Sequence, residues 1–203
     1  MKKKMLMLAV LLLSLVFTAC GKDQDKAGTE GALLSGKHNV EIHIKDKGVI
    51  TVELDADSAP ITVTNFVKLA EEGFYDGLTF HRIIEGFMMQ GGDPKGNGTG
   101  GSEEKIKGEF ASNGVENPIS HTRGTISMAR SKEMDSASSQ FFIMHQDSMG
   151  LDGDYAAFGH VTEGMEIVDD ICENTTGQDY NGVVPVENRP VIEKILVVDP
   201  KEE

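Results

Sequence analysis

The sequence lacks the cysteines and the basic clusters on which several classes of protein depend. Only two cysteines, Cys20 and Cys172, occur in 203 residues, so no disulfide framework exists and a hydrophobic core must hold the fold. The formal net charge is −14, and lysines and arginines cluster only at residues 2–4. Proteins that bind a nucleic-acid backbone carry basic patches, so we expect no nucleic-acid partner.

Motifs for covalent, metal-dependent and cofactor-dependent chemistry are also missing. The histidines are too scattered for a metal motif such as H-E-x-x-H, and no G-x-S-x-G nucleophile motif occurs. Residues 96–101 match G-x-G-x-x-G, but a dinucleotide site needs a strand before this motif and a helix after it. Here a polar loop precedes it and no strong helical period follows. We therefore expect neither a metal nor a cofactor.

The first twenty residues predict export and lipidation. Residues 2–4 are lysines, residues 5–17 form an apolar run too short to span a bilayer comfortably, and small residues lead to Cys20. This order resembles a bacterial lipoprotein signal, in which residues 1–19 are removed and Cys20 is diacylated. A retained transmembrane anchor and an ordinary signal peptide with a coincidental cysteine are the alternatives.

Composition then divides the mature chain into a tether and one domain. Residues 20–37 are polar and glycine-rich and cannot bury enough apolar surface to order themselves, so they predict a flexible tether. The domain is expected over residues 38–200. We expect a monomer in an extracytoplasmic position, held by its lipid at the bacterial cell membrane.

The domain pattern predicts a mainly β fold with two helices. Residues 40–44 and 49–54 alternate between apolar and polar and predict a hairpin. A helix with Ser58 as its cap, Pro60 in its first turn and Gly73 at its end follows. Short strands are predicted at 79–84, 87–91, 125–129, 141–144, 156–161 and 191–198, a second helix at 165–174, and an exposed loop at 91–108. This pattern favours a closed antiparallel barrel whose ends are covered by the helices.

The segment Phe80–Asp93 contains the most informative residues. Arg82 lies among strand-like apolar residues, and Phe87, Met88 and Gln90 follow within eight positions. This combination favours a site that grips an apolar group and applies a fixed positive charge without covalent chemistry. Rotation about an amide bond is one of the few reactions with that requirement.

Five stretches in order resemble the cyclophilin family of peptidyl-prolyl isomerases. They are Phe80–Asp93, Asn97–Gly101, Gly124–Ala129, Ser139–Ile143, and Leu151–Gly153 followed by Phe158-Gly159. The resemblance covers residues 40 to 198 and implies a closed eight-stranded antiparallel cyclophilin-like barrel capped by two α-helices. It also implies proline-containing unfolded or exported polypeptides as partners.

The resemblance assigns roles to particular residues. Arg82 matches the catalytic arginine. The walls of the proline pocket are matched by Phe87, Met88, Phe142 and Leu151, polar contacts to the substrate backbone by Gln90 and Gln140, and the rim by Gly98 and Ala129. Two further substrate-binding positions depart from the family: Arg130 stands where asparagine is more frequent, and Tyr155 replaces a frequent histidine while keeping an aromatic wall. The chain departs from the family at Gly150, where many eukaryotic members have a tryptophan. A non-catalytic peptide-binding module on the same fold and a cytoplasmic isomerase remain the alternatives.

Overall fold

The computed structural model describes residues 32–198. The predicted signal peptide, Cys20 and most of the predicted tether lie outside the described residues. The last part of the tether contacts the domain, because the backbone N–H of Leu34 donates to Thr64 Oγ1 (2.9 Å) and that of Gly36 donates to Asp57 Oδ1 (2.8 Å). Within residues 32–198, no helix has the length and apolar character needed to cross a membrane.

Eight strands and two α-helices make up the domain, as the sequence pattern predicts. The second helix has its predicted bounds, and the strands differ from prediction mostly at their ends. The elements are β1 Lys37–Ile44, β2 Gly48–Asp55, α1 Pro60–Glu71, β3 Arg82–Ile84, β4 Met88–Gly91, β5 Thr125–Met128, β6 Phe141–Met144, β7 Ala157–Glu163, α2 Met165–Asn174 and β8 Ile192–Val198, with short 3₁₀ turns at Ala111–Asn113, Met149–Leu151 and Val186–Asn188.

The strands form one antiparallel sheet that curls without closing. Its order is β3-β4-β6-β5-β7-β2-β1-β8, so the predicted closed barrel is wrong in this respect. Strand β3 has only three residues, and its outer edge is bonded to residues 182–184: Ile83 N–H donates to the Gly182 carbonyl (2.8 Å), and Val184 N–H donates to the His81 carbonyl (2.9 Å). Residues 77–80, which precede β3, bond to residues 190–192 at the start of β8: a bridge pairs Thr79 with Val191, and Phe80 N–H donates to the Pro190 carbonyl (3.0 Å).

The hydrophobic core lies on one face of the sheet, against the two helices. Its centre is a group of aromatic rings in which Phe66 of α1 packs against Tyr75, Phe141 and Phe158 at centroid distances of 5.1, 5.4 and 5.2 Å. Cys172 of α2 is 2% exposed and belongs to this core, where it packs as a small hydrophobe. Burial raises the pKa of its thiol to about 12.

The first turn of α1 is capped by a residue distant in sequence. Ser58 does not cap the helix, because its hydroxyl donates to Asp55 Oδ2 (2.9 Å). The buried Glu109 carboxylate accepts the backbone N–H groups of Ile61 (3.0 Å) and Thr62 (2.8 Å) and the Thr62 hydroxyl (2.6 Å). A carboxylate at this position also interacts favourably with the positive end of the helix dipole.

Candidate active site

A second apolar cluster lies on the sheet face opposite the core. Successive strand residues point to opposite faces, and here Met89 and Phe141 enter the core while Met88 and Phe142 enter the second cluster. Strand alternation thus places Phe142 on the face opposite Phe141. Met88, Phe142 and Met144 are buried, and the partly buried Ile84, Phe87, Ala129, Leu151 and Tyr155 pack around them.

The side chains of this cluster and its polar neighbours form a row across four strands. Arg82 of β3 pairs with Gln90 of β4, Gln90 with Phe142 of β6, and Phe142 with Ser127 of β5. The pairs are antiparallel, and directly opposed residues in such pairs project from the same face. The row therefore places a guanidinium at one end and an aromatic wall near the other.

Arg82 is half-buried and held from two sides. Its Nε–H donates to the carbonyl of Asn181 (2.9 Å), and Nη1 lies 3.4 Å from Gln90 Oε1 and 3.9 Å from Met88 Sδ. Burial lowers the pKa of Arg82, and the carboxylate of Asp179 acts in the opposite direction. An arginine keeps its charge under all ordinary conditions, so the site presents a fixed cation beside the apolar cluster.

Two glutamine side chains connect the arginine to the rim. Gln90 Nε2 donates to Gln140 Oε1 (2.9 Å), and Gln140 Nε2 donates to the carbonyl of Gly100 (2.8 Å). The NH2 group of each glutamine thus has an acceptor, which fixes the direction of both side chains. The oxygen of Gln90 is thereby turned toward Arg82.

Aromatic side chains close the other end of the cluster. The Tyr155 ring meets the Phe142 ring edge to face, with centroids 5.9 Å apart at 84°. The Arg130 guanidinium lies over the Tyr155 ring at 4.9 Å and over Phe110 at 5.0 Å, and its Nε–H donates to the Asp154 carbonyl (2.8 Å). These contacts hold Arg130 against the aromatic wall, at its solvent-exposed edge.

His121 supports the same wall and was not predicted as a site residue. Its ring is fully buried and stacks on Phe142, with centroids 6.0 Å apart at 19°. Nδ1 lies 2.8 Å from Asp152 Oδ1 and Nε2 lies 3.0 Å from Ser127 Oγ. Burial lowers the pKa of His121, and Asp152 offsets only part of that effect, so the neutral ring is favoured.

The sequence offered unequal signals for the residues that were missed. Met144 lies two positions after Phe142 on the same strand, so alternation along β6 would have placed it in the cluster. His121 precedes β5 in an irregular segment, and no local periodicity indicates where its ring points. Asn181 acts through its backbone carbonyl, which any residue could supply.

A cavity of about 600 Å³ adjoins the row on the side of the two glutamines. The loop that forms one wall folds around the buried Asp93, whose carboxylate accepts the backbone N–H groups of Lys95 (2.8 Å), Asn97 (3.0 Å) and Gly98 (2.6 Å). Burial alone would raise the pKa of Asp93, but these N–H groups leave it lowered. The predicted site residues that line this cavity are Gln90, Gly98, Ala129, Arg130 and Gln140.

The structure thus brings the predicted residues together in two adjoining parts. Phe87, Met88, Phe142, Leu151 and Tyr155 form an apolar cluster, and the cavity next to it has a polar lining. Arg82 stands beside Met88 and Gln90, where the two parts meet. Among residues 32–198, no group of three or more histidine, cysteine or acidic side chains could hold a metal ion.

Comparison with known proteins identifies a family for this arrangement. The model of the cyclophilin type peptidyl-prolyl cis-trans isomerase family matches residues 39–197. A peptidyl-prolyl cis-trans isomerase of Helicobacter pylori is 50% identical over 128 residues, which cover 62% of this chain and 76% of the relative. Peptidyl-prolyl cis-trans isomerase B of Bacillus subtilis is 50% identical over 123 residues, covering 61% of this chain and 82% of the relative.

A solved structure resembles the fold over most of its length. It is a cyclophilin type peptidyl-prolyl cis-trans isomerase of Cryptosporidium parvum, determined in the presence of the dipeptide Ala-Pro. The TM-score is 0.70 at 30% sequence identity, and the match covers 80% of this chain and 99% of the other.

Proposed function

This chain belongs to the cyclophilin-type peptidyl-prolyl cis-trans isomerases and is an enzyme of that family, and we propose that Arg82 performs its catalysis without a covalent step. The observation that supports this role is the position of Arg82. Its guanidinium is fixed by Asn181 and Gln90 at the edge of the apolar cluster.

The reaction needs only stabilisation of a twisted amide. Resonance gives the peptide bond a rotation barrier of about 18–20 kcal/mol, and before proline the cis and trans forms are nearly balanced. In the twisted state the nitrogen regains a lone pair that can accept a hydrogen bond. We propose that an Arg82 N–H donates to this nitrogen, while Phe87, Met88, Phe142 and Leu151 hold the proline ring.

The charge acts where it has the greatest effect on the rate. An interaction made only in the twisted state speeds the reaction, whereas one made equally in the planar state does not. The apolar walls exclude water and so strengthen the electrostatic interaction of Arg82. A ~10⁵-fold acceleration corresponds to about 7 kcal/mol at 1.36 kcal/mol per tenfold.

The polar parts of the site are proposed to hold the client backbone. Gln90 and Gln140 form a fixed pair, and Gly98 and Ala129 line the cavity beside them. In this proposal the residues that precede proline lie in that cavity. Because Gly98 has no side chain, the client backbone can approach the loop closely there.

We further propose that the clients are exported chains and that the enzyme works at the outer face of the bacterial cell membrane. The support is in the sequence: residues 1–19 resemble a lipoprotein signal, and Cys20 is the residue that would receive the acyl chains. Each buried methylene of such a chain contributes about 0.8 kcal/mol to membrane binding. Acyl incorporation should depend on Cys20 and be abolished by Cys20→Ala; a soluble protein with an intact N-terminus would contradict the proposal.

The catalytic proposal is tested by isomerisation of a short X-Pro peptide, measured by exchange NMR. Arg82→Ala should lower kcat/KM by about 10²–10³-fold, the cost of losing one well-placed donor. Arg82→Lys keeps the charge but not the planar fork, so about a tenfold loss is expected. Lys194→Ala removes an exposed cation on the opposite edge strand and should leave the rate unchanged. Equal rates for wild type and Arg82→Ala, with peptide binding retained, would refute the role of Arg82.

A further inference from the structure

We propose that His145 is a positioning residue: it holds the turn that carries Phe87 and so fixes the position of this wall of the catalytic pocket. Neutral His145 fixes this turn, and protonation of its Nδ1 atom releases it. The inference rests on the proposed function, because Phe87 is taken as a wall of the proline pocket. It adds a pH dependence that the isomerisation step itself does not require.

His145 holds the turn between β3 and β4 through two hydrogen bonds, one to its ring and one from its backbone. Gly86 N–H donates to the imidazole Nδ1 (2.9 Å), and the backbone N–H of His145 donates to the carbonyl of Phe87 (2.9 Å). Gly86 has φ +75°, a conformation that favours glycine, so the turn has few alternatives of its own. One residue at the end of β6 therefore fixes both the tip of the turn and the start of the pocket wall.

The other ring nitrogen faces helix α2. Nε2 lies 3.3 Å from Asp169 Oδ1 and 4.0 Å from Glu173 Oε1. Because Nδ1 accepts a hydrogen bond from Gly86, the proton of the neutral ring is on Nε2, where it can be donated to Asp169. The imidazole thus connects the turn between β3 and β4 to helix α2.

Arg123 fixes the carboxylate that orients the ring. It donates to both oxygens of Asp169, from Nη1 and Nη2 at 2.7 Å each, and Nη1 also donates to the carbonyl of His145 (2.8 Å). The Arg123 interaction is the main reason that the pKa of Asp169 is lowered. Asp169 is therefore an anion fixed in place, and the tautomer of His145 is set by the surrounding structure.

Protonation of the ring would remove the bond that fixes the turn. The His145 side chain is only 5% exposed, so little solvent is available to take the place of the lost acceptor. An Nδ1–H would face the N–H of Gly86, two donors without an acceptor between them. Asp169 and Glu173 would favour the added charge and Arg123 would oppose it. Imidazole protonation is the charge change that a fall from pH 8 to pH 5 most readily causes in proteins.

The proposed catalytic step provides no competing pH dependence in this range. Arg82 stays protonated throughout, and no proton is transferred in the reaction. Burial lowers the pKa of both His81 and His121, which keeps these two rings neutral to lower pH. A decline in activity between pH 8 and pH 5 without unfolding would therefore point to His145.

The experiment measures kcat/KM by exchange NMR from pH 8 to pH 5 in four proteins. In the wild type we expect about a fivefold decline, the effect of losing one hydrogen bond. His145→Asn can offer Oδ1 to Gly86 and cannot be protonated there, so its activity should be flat and near the wild-type maximum. His145→Leu offers no acceptor and should be low and flat. His160→Asn changes an exposed histidine on β7 and should follow the wild type.

The amide resonance of Gly86 provides a readout independent of activity. Its chemical shift should titrate in parallel with the activity in the wild type and remain constant in His145→Asn. This comparison does not require His145→Leu to fold. A flat wild-type profile, or an unchanged decline in His145→Asn, would overturn the inference. A wild type that is inactive at every pH would instead refute the proposed function, and the Gly86 signal would still decide whether His145 holds the turn.

Discussion

Replacement of Glu109 should strongly destabilise the domain, because this residue caps the first turn of α1. This carboxylate is 2% exposed and accepts three hydrogen bonds at the start of α1, two from backbone N–H groups and one from the Thr62 hydroxyl. Glu109→Gln removes the charge and turns one acceptor atom into a donor. Glu109→Ala removes every acceptor.

The magnitude follows from these contacts. Hydrogen bonds to a charged group contribute about 1.5–3 kcal/mol each, against about 0.5–1.5 kcal/mol for neutral ones. The attraction between the carboxylate and the positive end of the helix dipole adds up to about 2 kcal/mol in partly buried sites. We therefore expect Glu109→Gln to lower the free energy of unfolding by about 2–3 kcal/mol. Glu109→Ala leaves buried donors unpaired and should cost about 3–5 kcal/mol.

Urea unfolding followed by circular dichroism measures both losses. Glu116→Gln is the matched control, because Glu116 is exposed and its replacement should change stability by less than about 0.5 kcal/mol. The activity of folded Glu109→Gln should match that of the wild type, since α1 packs against the core face of the sheet. A loss below 1 kcal/mol in Glu109→Ala would show that the reasoning about the cap is wrong.

Three further predictions concern the site. Gln140→Ala should lower kcat/KM about tenfold, because it removes a support of the group that orients Arg82; unchanged kinetics would contradict this. The free energy of unfolding should fall as the pH drops below about 6.5, since burial lowers the pKa of folded His121 and the unfolded chain then binds more protons; urea titrations at pH 7.5 and 5.5 should show a smaller fall in His121→Gln. Lys95 and Lys105 line the cavity, and replacing both by alanine should reduce about fivefold the ratio of kcat/KM for a peptide with glutamate before proline to that for a peptide with lysine there. This assumes that each lysine contributes about 0.5 kcal/mol to the difference between the two peptides; an unchanged ratio would refute a role for these charges.

Local patterns predicted most elements because the information for them is local. Helix α2 has an apolar stripe with helical period, and both of its ends lie where the pattern predicts. The hairpin of β1 and β2 follows from alternation alone. The cap of α1 was not predictable in this way, since Glu109 lies 48 residues after Ile61 in the chain and only the fold brings them together.

The pairing at the outer edge of β3 and the position of His121 both depend on irregular segments of the chain. Residues 182–184 occupy the outer edge of β3 through backbone bonds, and no side-chain pattern indicates such pairing. His121 is placed by Asp152 and Ser127, which come from two different parts of the chain. The motif residues, by contrast, were found through family resemblance, which records the outcome of folding as well as its local causes.

The core and the proposed proline pocket share the same strands, with Phe141 on one face and Phe142 on the other. Deleting or inserting one residue in β6 would exchange these faces, because side chains alternate with a period of two. Strand β6 can therefore diversify only by substitution, whereas changes of chain length are better tolerated in the loops. New client preferences would then arise at the cavity wall around Gly98, where length can vary while the proposed proline pocket keeps its register.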